Sequence, residues 1–433
     1  MLLYQTITRM EVAKKVVKFV DGSFMPALDG ASERFNQISK SLAREGVDLT
    51  VVHAYRGWSD LSLIAQQGFR TFAVPSHYYY KDHSVVERII EQIKPDVVEM
   101  NDMELAMSAG LNLSNKYRLP LVYDAQCVSS VLATSLGLSP DVIAADKAQE
   151  QLLGKVVSGA ICFTDLDRSQ FVETTGISPE RAHVIPLGSD IEGIKPREIG
   201  EKDKTVVFLG NMFYEPNAEG VEFAGDKVIP AVIAKHPDAK FRFVGDAPDE
   251  MKAKYENEHT QFTGRIVDIN EVFDGARVCI APIKTGGGMR VKILTYMATG
   301  VPVVATSIGS EGINDFSALN IADNAEQFIG GVNDLLSDLR GSRALGEKAR
   351  ALVEADYSWR SIARRCISLY DQAIKNPVLD TGIAASVMTK EPFWLAETID
   401  KGRFTSKPVD PEIINVVGFG RIAQRTIGSF LGR

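Results

Sequence analysis

The sequence predicts an α/β protein with two tandem, doubly wound domains, in which helices cover both faces of a parallel sheet. Three observations support this class. The chain has 433 residues, enough for two or three domains of ~150 residues each. Short apolar runs alternate with amphipathic segments along most of its length, an order typical of parallel sheets. A polar stretch of alternating charge, Asp190 to Lys204, contains Pro196 and favours a linker near the middle.

Apolar runs in the first half predict six strands, at 16–24, 47–54, 71–74, 96–100, 119–123 and 158–163. Two segments between these strands, 32–44 and 85–93, have the spacing of amphipathic helices. Pro95 ends the second of these helices, because proline disfavours helical backbone at the residue before it. We interpret residues 1–195 as the N-terminal domain.

The second half repeats the same order of elements. Its predicted strands are 205–209, 241–244, 278–281 and 301–305, and its predicted helices are 218–234, 328–339 and 362–374. Ligands of doubly wound sheets bind at the carboxyl ends of the strands. Two such domains with these edges facing each other across a cleft can hold one substrate on each side, so we assign residues 196–376 to a C-terminal domain.

Composition excludes several classes of protein. Hydrophobic residues make up 45% of the chain, charged residues 24%, and the net charge of −8 predicts no nucleic-acid partner. The four cysteines are widely spaced and the six histidines form no pair at ligand spacing, so we expect no metal site. No apolar run is long enough to span a membrane, and Met1 to Lys15 lacks the apolar core of a secretory signal. These features predict a cytoplasmic protein.

The most informative stretch begins with three consecutive glycines, Gly286, Gly287 and Gly288. Glycines leave backbone N–H groups free to face an anion. Arg290 and Lys292 follow, at the start of a predicted apolar helix whose N-terminus carries partial positive charge. An ordinary loop between a strand and a helix is the alternative interpretation. The two cations favour a binding site for a diphosphate.

Four segments of the second half, taken together, resemble a known family. They are Gly210–Asn217, Phe243–Asp246, Thr263–Asp268 and Ala281–Gly312. In this order and spacing they resemble the donor domain of retaining GT-B glycosyltransferases of family 4, the glycosyltransferase group 1 type. The resemblance covers roughly residues 16–375. It implies the GT-B fold, which consists of two Rossmann-like domains facing a cleft.

The resemblance implies the transfer of a hexose from a nucleotide sugar to a hydroxyl of a glycan, a lipid-linked sugar or a small glycoside. Transfer would retain the anomeric configuration without a bound metal, and the donor would be a co-substrate rather than a cofactor. Arg290 and Lys292 would stabilise the departing diphosphate. Other residues assigned to donor binding by the resemblance are Asn211, Gly264, Arg265, Glu311 and Gly312, together with the three glycines.

Two residues depart from the family pattern. Thr295 stands where a glutamate usually binds the ribose hydroxyls, and Gln126 stands where a histidine is common. Gln126 can hydrogen-bond a sugar hydroxyl but cannot transfer a proton, and Thr295 lacks a charged bidentate contact. Gly30 precedes a predicted helix, where N–H groups can approach the donor; a simple connection between strand and helix that needs glycine for its turn is the alternative interpretation. The alternatives are therefore a GT-B-like binding or scaffold subunit that does not transfer sugar, and a sugar-nucleotide epimerase.

Residues 377–433 form an extension beyond the resemblance. Its last part, 411–433, contains apolar residues and three arginines, which is typical of a basic amphipathic helix at a membrane surface. Gly418 and Gly420 weaken the prediction of a helix. Packing on a partner subunit, or on the chain's own globular part, is the other interpretation.

Overall fold

The structure is a computed structural model that describes residues 13–20, 30–55, 68–135, 137–266, 268–285, 288–379, 381–385 and 414–416. Its strands are β1 Lys15–Val20, β2 Asp48–Tyr55, β3 Arg70–Pro75, β4 Val97–Met100, β5 Leu121–Asp124, β6 Gly159–Cys162, β7 Ala182–Val184, β8 Thr205–Leu209, β9 Lys240–Val244, β10 Thr260–Gly264, β11 Ala276–Ala281, β12 Val303–Ala305, β13 Asn320–Ile321 and β14 Ile414–Val416.

Helices connect most of these strands. The α-helices are Gly30–Arg44, Ser76–Tyr80, Ser84–Ile93, Met103–Leu105, Leu111–Tyr117, Ser129–Ser135, Pro140–Val156, Asp165–Thr175, Glu215–Phe223, Ile229–Lys235, Asp249–Tyr255, Ile269–Val272, Val291–Thr299, Ala325–Ser337, Leu339–Leu352 and Trp359–Lys375. The predicted helix 218–234 is two helices joined by a wider π-type turn, Ala224–Val228, and it begins at Glu215 because Pro216 is compatible with the first turn of a helix.

Each half of the chain forms its own sheet, which confirms the predicted α/β class. The first sheet has the order β14-β3-β2-β1-β4-β5-β6-β7, with β1 to β7 parallel and β14 antiparallel to β3. The second has the order β10-β9-β8-β11-β12-β13, and all its pairs are parallel. The strand order reverses between β1 and β4 in one sheet and between β8 and β11 in the other. Both sheets are therefore doubly wound.

The compact units differ from the predicted division at residue 195. The first unit ends at Val184, and the second runs from Ile185 to Ile362 and includes the short segment 163–165. The predicted linker packs on the second unit, because Arg343 and Arg350 donate to backbone carbonyls of residues 199 and 194. The described residues from Ala363 onward group with the first unit again. The polar stretch that was predicted to be a linker therefore hydrogen-bonds to the second unit.

The extension shows one described element near its end. Ile414–Val416 is a strand paired with β3, so this part of 411–433 is not helical. The rest of 411–433 lies outside the described residues. Strand pairing agrees with the interpretation in which the extension packs on the chain's own globular part.

Two buried ion pairs lie side by side in the first unit. Lys18 Nζ is 2.6 Å from Glu99 Oε1, and each side chain is 1% exposed. Arg34 Nη1 is 2.5 Å from Asp124 Oδ2, with exposures of 2% and 0%. Tyr370 donates to Glu99 at 2.5 Å, and burial followed by the Glu99 charge raises the pKa of this phenol well above 10. The network joins β1, β4 and β5 to helices Gly30–Arg44 and Trp359–Lys375.

Candidate active site

The reversal of strand order in the second sheet creates a crevice between the loops that follow β8 and β11. The turn after β8 begins at Gly210, and the loop after β11 runs from Pro282 to Arg290. Loops at such a reversal diverge to opposite faces of the sheet and leave room for a ligand at the strand ends. The glycine-rich stretch identified in the sequence thus lies at the position where a doubly wound sheet binds its ligand. Gly286 and Gly287 lie outside the described residues.

Lys292 lies in the first turn of the helix that closes this loop. Its Nζ donates to Asn217 Oδ1 at 2.6 Å and lies 4.2 Å from the centre of the Phe208 ring. Burial, and next the positive charge of Arg290, lowers the pKa of Lys292 from 10.5 to about 7. An anion that enters the crevice would favour the charged form of Lys292. The Asn217 oxygen that accepts from Nζ is neutral and Arg290 is a cation, so neither of them supplies the negative charge that an anion brings.

The lowered pKa of Lys292 couples folding and anion binding to pH in opposite directions. Between about pH 7 and 10.5 the unfolded chain retains the proton that the folded chain has lost. This group alone therefore makes the folded protein more stable as the pH rises through that window. A bound anion raises the pKa again, so binding takes up a proton and weakens as the pH rises above about 7.

Arg290 precedes the helix as its N-cap residue, with extended backbone angles φ −96° and ψ 106°. Its Nη2 donates to the carbonyl of Thr285 at 3.2 Å, which holds the guanidinium against the loop. Gly288, with φ +80°, has the left-handed backbone that favours glycine. These residues place two cations and a helix N-terminus at one end of the crevice.

Helix Glu215–Phe223 supports the glycine-rich loop at further points. Thr285 donates to Glu219 Oε2 at 2.8 Å, and Lys284 Nζ lies 3.8 Å from the centre of the Phe223 ring. A Cβ on Gly220 would lie 3.0 Å from the Pro282 carbonyl oxygen, so helix and loop are in close backbone contact. The loop is therefore held by a neighbouring helix as well as by its own turn.

The ends of β8, β9 and β10 approach one another through glycines. Gly245 donates to the Gly264 carbonyl at 2.8 Å and has φ +126°, while Gly264 has φ +67°. A Cβ on Gly245 would lie 2.2 Å from the Gly210 carbonyl oxygen. Only glycine allows this approach, which brings the turn after β8 against the end of β9.

We expect Gly245→Ala to destabilise the second unit by about 3 kcal/mol or more, because the methyl group adds a backbone clash to a strained φ. Gly275→Ala is the matched control in the same unit. Gly275 has φ +70°, and an added Cβ would meet no atom closer than 3.5 Å, so the loss should be about 1–2 kcal/mol. Urea denaturation midpoints measure both. Equal losses would show that the contact with Gly210 does not constrain this edge.

The other residues assigned to donor binding occupy the rim of the same edge. Asn211 is exposed, and its Oδ1 accepts from the Phe213 N–H at 3.0 Å. Arg265 is 79% exposed and donates to Asp246 Oδ2 at 2.6 Å, which orients it at the end of β10. Asn211 thus belongs to the crevice itself, whereas Arg265 stands two strands away from its β8 side.

The turn after β12 contributes Glu311 and Gly312. Gly312 has φ +87°, and a Cβ there would lie 2.9 Å from Met289 Cγ, so this turn packs on the glycine-rich loop. Tyr357 donates to the Gly312 carbonyl at 3.1 Å and holds the turn from the other side. The structure therefore brings Gly312, and Glu311 beside it, to the loop that carries Arg290.

Thr295 is one turn beyond Val291 on the same helix. It is 9% exposed, and its hydroxyl donates to the Val291 carbonyl at 3.2 Å. The hydroxyl therefore makes a local bond within its own helix, a common arrangement for threonine in a helix interior.

Gln126 and Gly30 belong to the first unit, whereas the crevice belongs to the second. Gln126 follows β5 and is partly buried, and helix Gly30–Arg44 begins at Gly30. The Arg34–Asp124 ion pair joins the first turns of this helix to the end of β5. Gln126 and the helix start are therefore at the same edge of the first sheet.

Sequence reasoning missed Asn217 and Glu219 as supports of the glycine-rich loop. Asn217 was part of a quoted motif, but its partner Lys292 is 75 residues away. The signal that could have indicated them is their position: both are polar residues near the start of the helix that follows β8. Their role depends on which strand lies next to β8.

The described part of the chain has neither a cluster of metal-ligating side chains nor a membrane-spanning helix. No group of three or more histidine, cysteine, aspartate or glutamate side chains there could hold a metal ion. No helix in the same ranges is long and apolar enough to cross a membrane.

The fold is of the GT-B type, and comparisons with known proteins show similarity to glycosyltransferases in both units. Residues 203–338 match the family described as glycosyl transferases group 1. Residues 29–188 match the glycosyl transferase 4-like domain. The first of these matches contains every strand of the second sheet, and the other contains β2 to β7 of the first sheet.

Similar curated proteins include a GDP-mannose-dependent monoacylated α-(1-6)-phosphatidylinositol monomannoside mannosyltransferase of Corynebacterium glutamicum. It is 28% identical over 46% of this chain and 58% of its own length. An uncharacterised 44.6 kDa protein in the cps region of Klebsiella pneumoniae is 26% identical over 36% of this chain and 43% of its own length. The chain thus spans about half the length of these relatives.

Solved structures show the same fold. HepE of Anabaena, in complex with UDP and glucose, superposes with a TM-score of 0.60 at 15% identity, over 83% of this chain and 99% of that one. Sucrose-phosphate synthase of Thermosynechococcus elongatus superposes with a TM-score of 0.60 at 15% identity, over 84% and 99%. At this identity the likeness concerns the fold alone.

Proposed function

We propose that the protein transfers a hexose from a nucleotide sugar to an acceptor hydroxyl, with retention of the anomeric configuration and without a metal ion. One observation carries the proposal: the Lys292 ammonium is held in the crevice at the reversal of strand order, beside Arg290 and a helix N-terminus. This arrangement suits a diphosphate more than any neutral ligand.

Leaving-group stabilisation is the chemistry that these residues supply. The bond from the anomeric carbon to the diphosphate oxygen breaks, and a bond to the acceptor oxygen forms on the same face of the sugar. The acceptor proton passes to an oxygen of the departing diphosphate. Lys292 and Arg290 stabilise the negative charge on that diphosphate, which is the role a divalent cation plays elsewhere.

Donor and acceptor are proposed at the level of chemical class. The relative in Corynebacterium is named for GDP-mannose and a phosphatidylinositol mannoside, and the HepE structure contains UDP and glucose. These names support a GDP- or UDP-linked hexose as donor and a glycan, lipid-linked sugar or small glycoside as acceptor. Gln126, at the strand edge of the first unit, is proposed to hydrogen-bond a sugar hydroxyl.

The second candidate is a binding or scaffold subunit that transfers no sugar. It is favoured by Thr295, whose hydroxyl bonds to the Val291 carbonyl where the family usually has a ribose-binding glutamate. A sugar-nucleotide epimerase would use the same fold and the same diphosphate site.

Calorimetry with UDP, GDP and ADP, followed by incubation with the matching nucleotide hexoses, separates these functions. Slow release of the nucleoside diphosphate without acceptor supports the transferase, since water then replaces the acceptor. Recovery of an epimerised sugar would identify an epimerase. Binding without release or epimerisation would favour a binding subunit, and absence of binding to every nucleotide would overturn the proposed diphosphate site.

A further inference from the structure

Asn217 connects two parts of the crevice, and the proposed chemistry gives this residue no role. It is the third residue of helix Glu215–Phe223 and is 8% exposed. Its Nδ2 donates to the Asn211 carbonyl at 2.7 Å, and its Oδ1 accepts from Lys292 Nζ at 2.6 Å. One carboxamide therefore binds the turn after β8 with one end and the buried ammonium with the other.

The space around these contacts admits little variation. A Cβ on Gly210 would lie 2.8 Å from Lys292 Nζ and 2.9 Å from Asn217 Nδ2, so a side chain there would displace both polar groups from their present positions. The Phe208 ring covers the ammonium from β8. A neutral amide is suited to this place, because it donates to a carbonyl and accepts from an ammonium at the same time.

Among the described residues, no carboxylate forms an ion pair or hydrogen bond with Lys292. Glu219, on the helix of Asn217, accepts from Thr285, and Lys284 lies against Phe223. Tyr296 accepts from the Leu209 N–H, and burial raises the pKa of its phenol well above 10, so it is neutral. Arg290 is the neighbouring charge that acts on Lys292, and it has the same sign.

We propose that Asn217 is a positioning residue for diphosphate binding, which holds Lys292 and the Asn211 turn in place without carrying an opposite charge of its own. This role rests on the proposed function of the crevice. A carboxylate at position 217 would keep the geometry but pair with the ammonium. The lysine would then be charged before the ligand arrives, and its charge would be partly cancelled.

Proton uptake is the readout that a merely structural role would not change. In the native protein Lys292 has a pKa of about 7, so a diphosphate bound at pH 8 should bring about one proton with it. Titration calorimetry of UDP and GDP at pH 8, in buffers of different ionisation enthalpy, measures that number. In Asn217→Asp we expect uptake close to zero and an affinity about tenfold or more below wild type.

Asn217→Leu is the matched variant of similar size without charge. It loses both hydrogen bonds but forms no ion pair, so we expect weaker nucleotide binding with proton uptake retained. In a Lys292→Ala background, Asn217→Leu should change the affinity much less than in the native protein, because the two side chains act as a pair. Urea denaturation of each variant shows whether it is folded.

The outcomes distinguish this inference from the proposed function. If wild-type protein binds no nucleoside diphosphate, the proposed function and the role of Asn217 both fall. If wild-type protein binds one and Asn217→Asp retains wild-type affinity and proton uptake, the positioning role alone is overturned.

Discussion

Lys292→Ala is expected to lower turnover about 100-fold or more, which corresponds to about 2.7 kcal/mol of transition-state stabilisation. The ammonium lies in the crevice at the strand reversal, 2.6 Å from Asn217 and beside Arg290. Its charge has most effect when the diphosphate departs and gains negative charge. The loss is measured as the rate of nucleoside diphosphate release, with whichever nucleotide hexose the wild-type protein hydrolyses in the incubations proposed above.

Lys254→Ala is a suitable control for this variant. Lys254 is in the same unit, and its side chain is 57% exposed and pairs with Asp226 on the surface. We expect its removal to leave turnover within a few-fold of wild type, because exposed pairs contribute little. Near-wild-type turnover in Lys292→Ala would remove this lysine from the mechanism and with it the observation on which the proposed function depends.

Asp124→Ala is expected to cost about 3–5 kcal/mol of stability in the first unit. Asp124 is fully buried and lies 2.5 Å from Arg34, which is 2% exposed. Removing the carboxylate takes away an ion-pair partner of a buried guanidinium, at a site that already contains the Lys18–Glu99 pair. Urea denaturation followed by far-UV circular dichroism measures the shift.

Asp371→Ala is the control for the buried pair. Asp371 contacts Lys14 in the same unit, but its side chain is 62% exposed, so the loss should be under about 1 kcal/mol. Replacing Arg34 and Asp124 together with Met and Leu should recover much of the stability lost in the single variant, because no uncompensated charge remains. A single variant as stable as Asp371→Ala would show that the buried pair does not hold helix Gly30–Arg44 to β5.

Much of the fold was predictable because local sequence patterns carry it. Thr205–Leu209 is a strand with the predicted bounds, and most other predicted strands agree within a few residues. Alternating apolar runs indicate parallel sheets whatever the order of the strands. The division into units was less predictable, since the polar stretch after Asp190 hydrogen-bonds to the second unit.

The part of the candidate site that could be predicted consists of residues close together in the sequence. Gly288, Arg290 and Lys292 lie within five residues, and the structure places them together at a helix start. Gln126 and Gly30 were predicted separately, and the structure relates them to each other through the Arg34–Asp124 pair. That relation was not visible because buried salt bridges leave no periodic pattern.

The sequence by itself determined the α/β class, the positions of most strands and a cationic, glycine-rich loop at a helix N-terminus. These features depend on backbone propensities and on residues close together in the chain. Only the tertiary structure decided that Asn217 meets Lys292, 75 residues away, and that the end of β9 needs Gly245. Both contacts exist because β8 lies between β9 and β11, and strand order is set by packing between distant segments rather than by any local pattern.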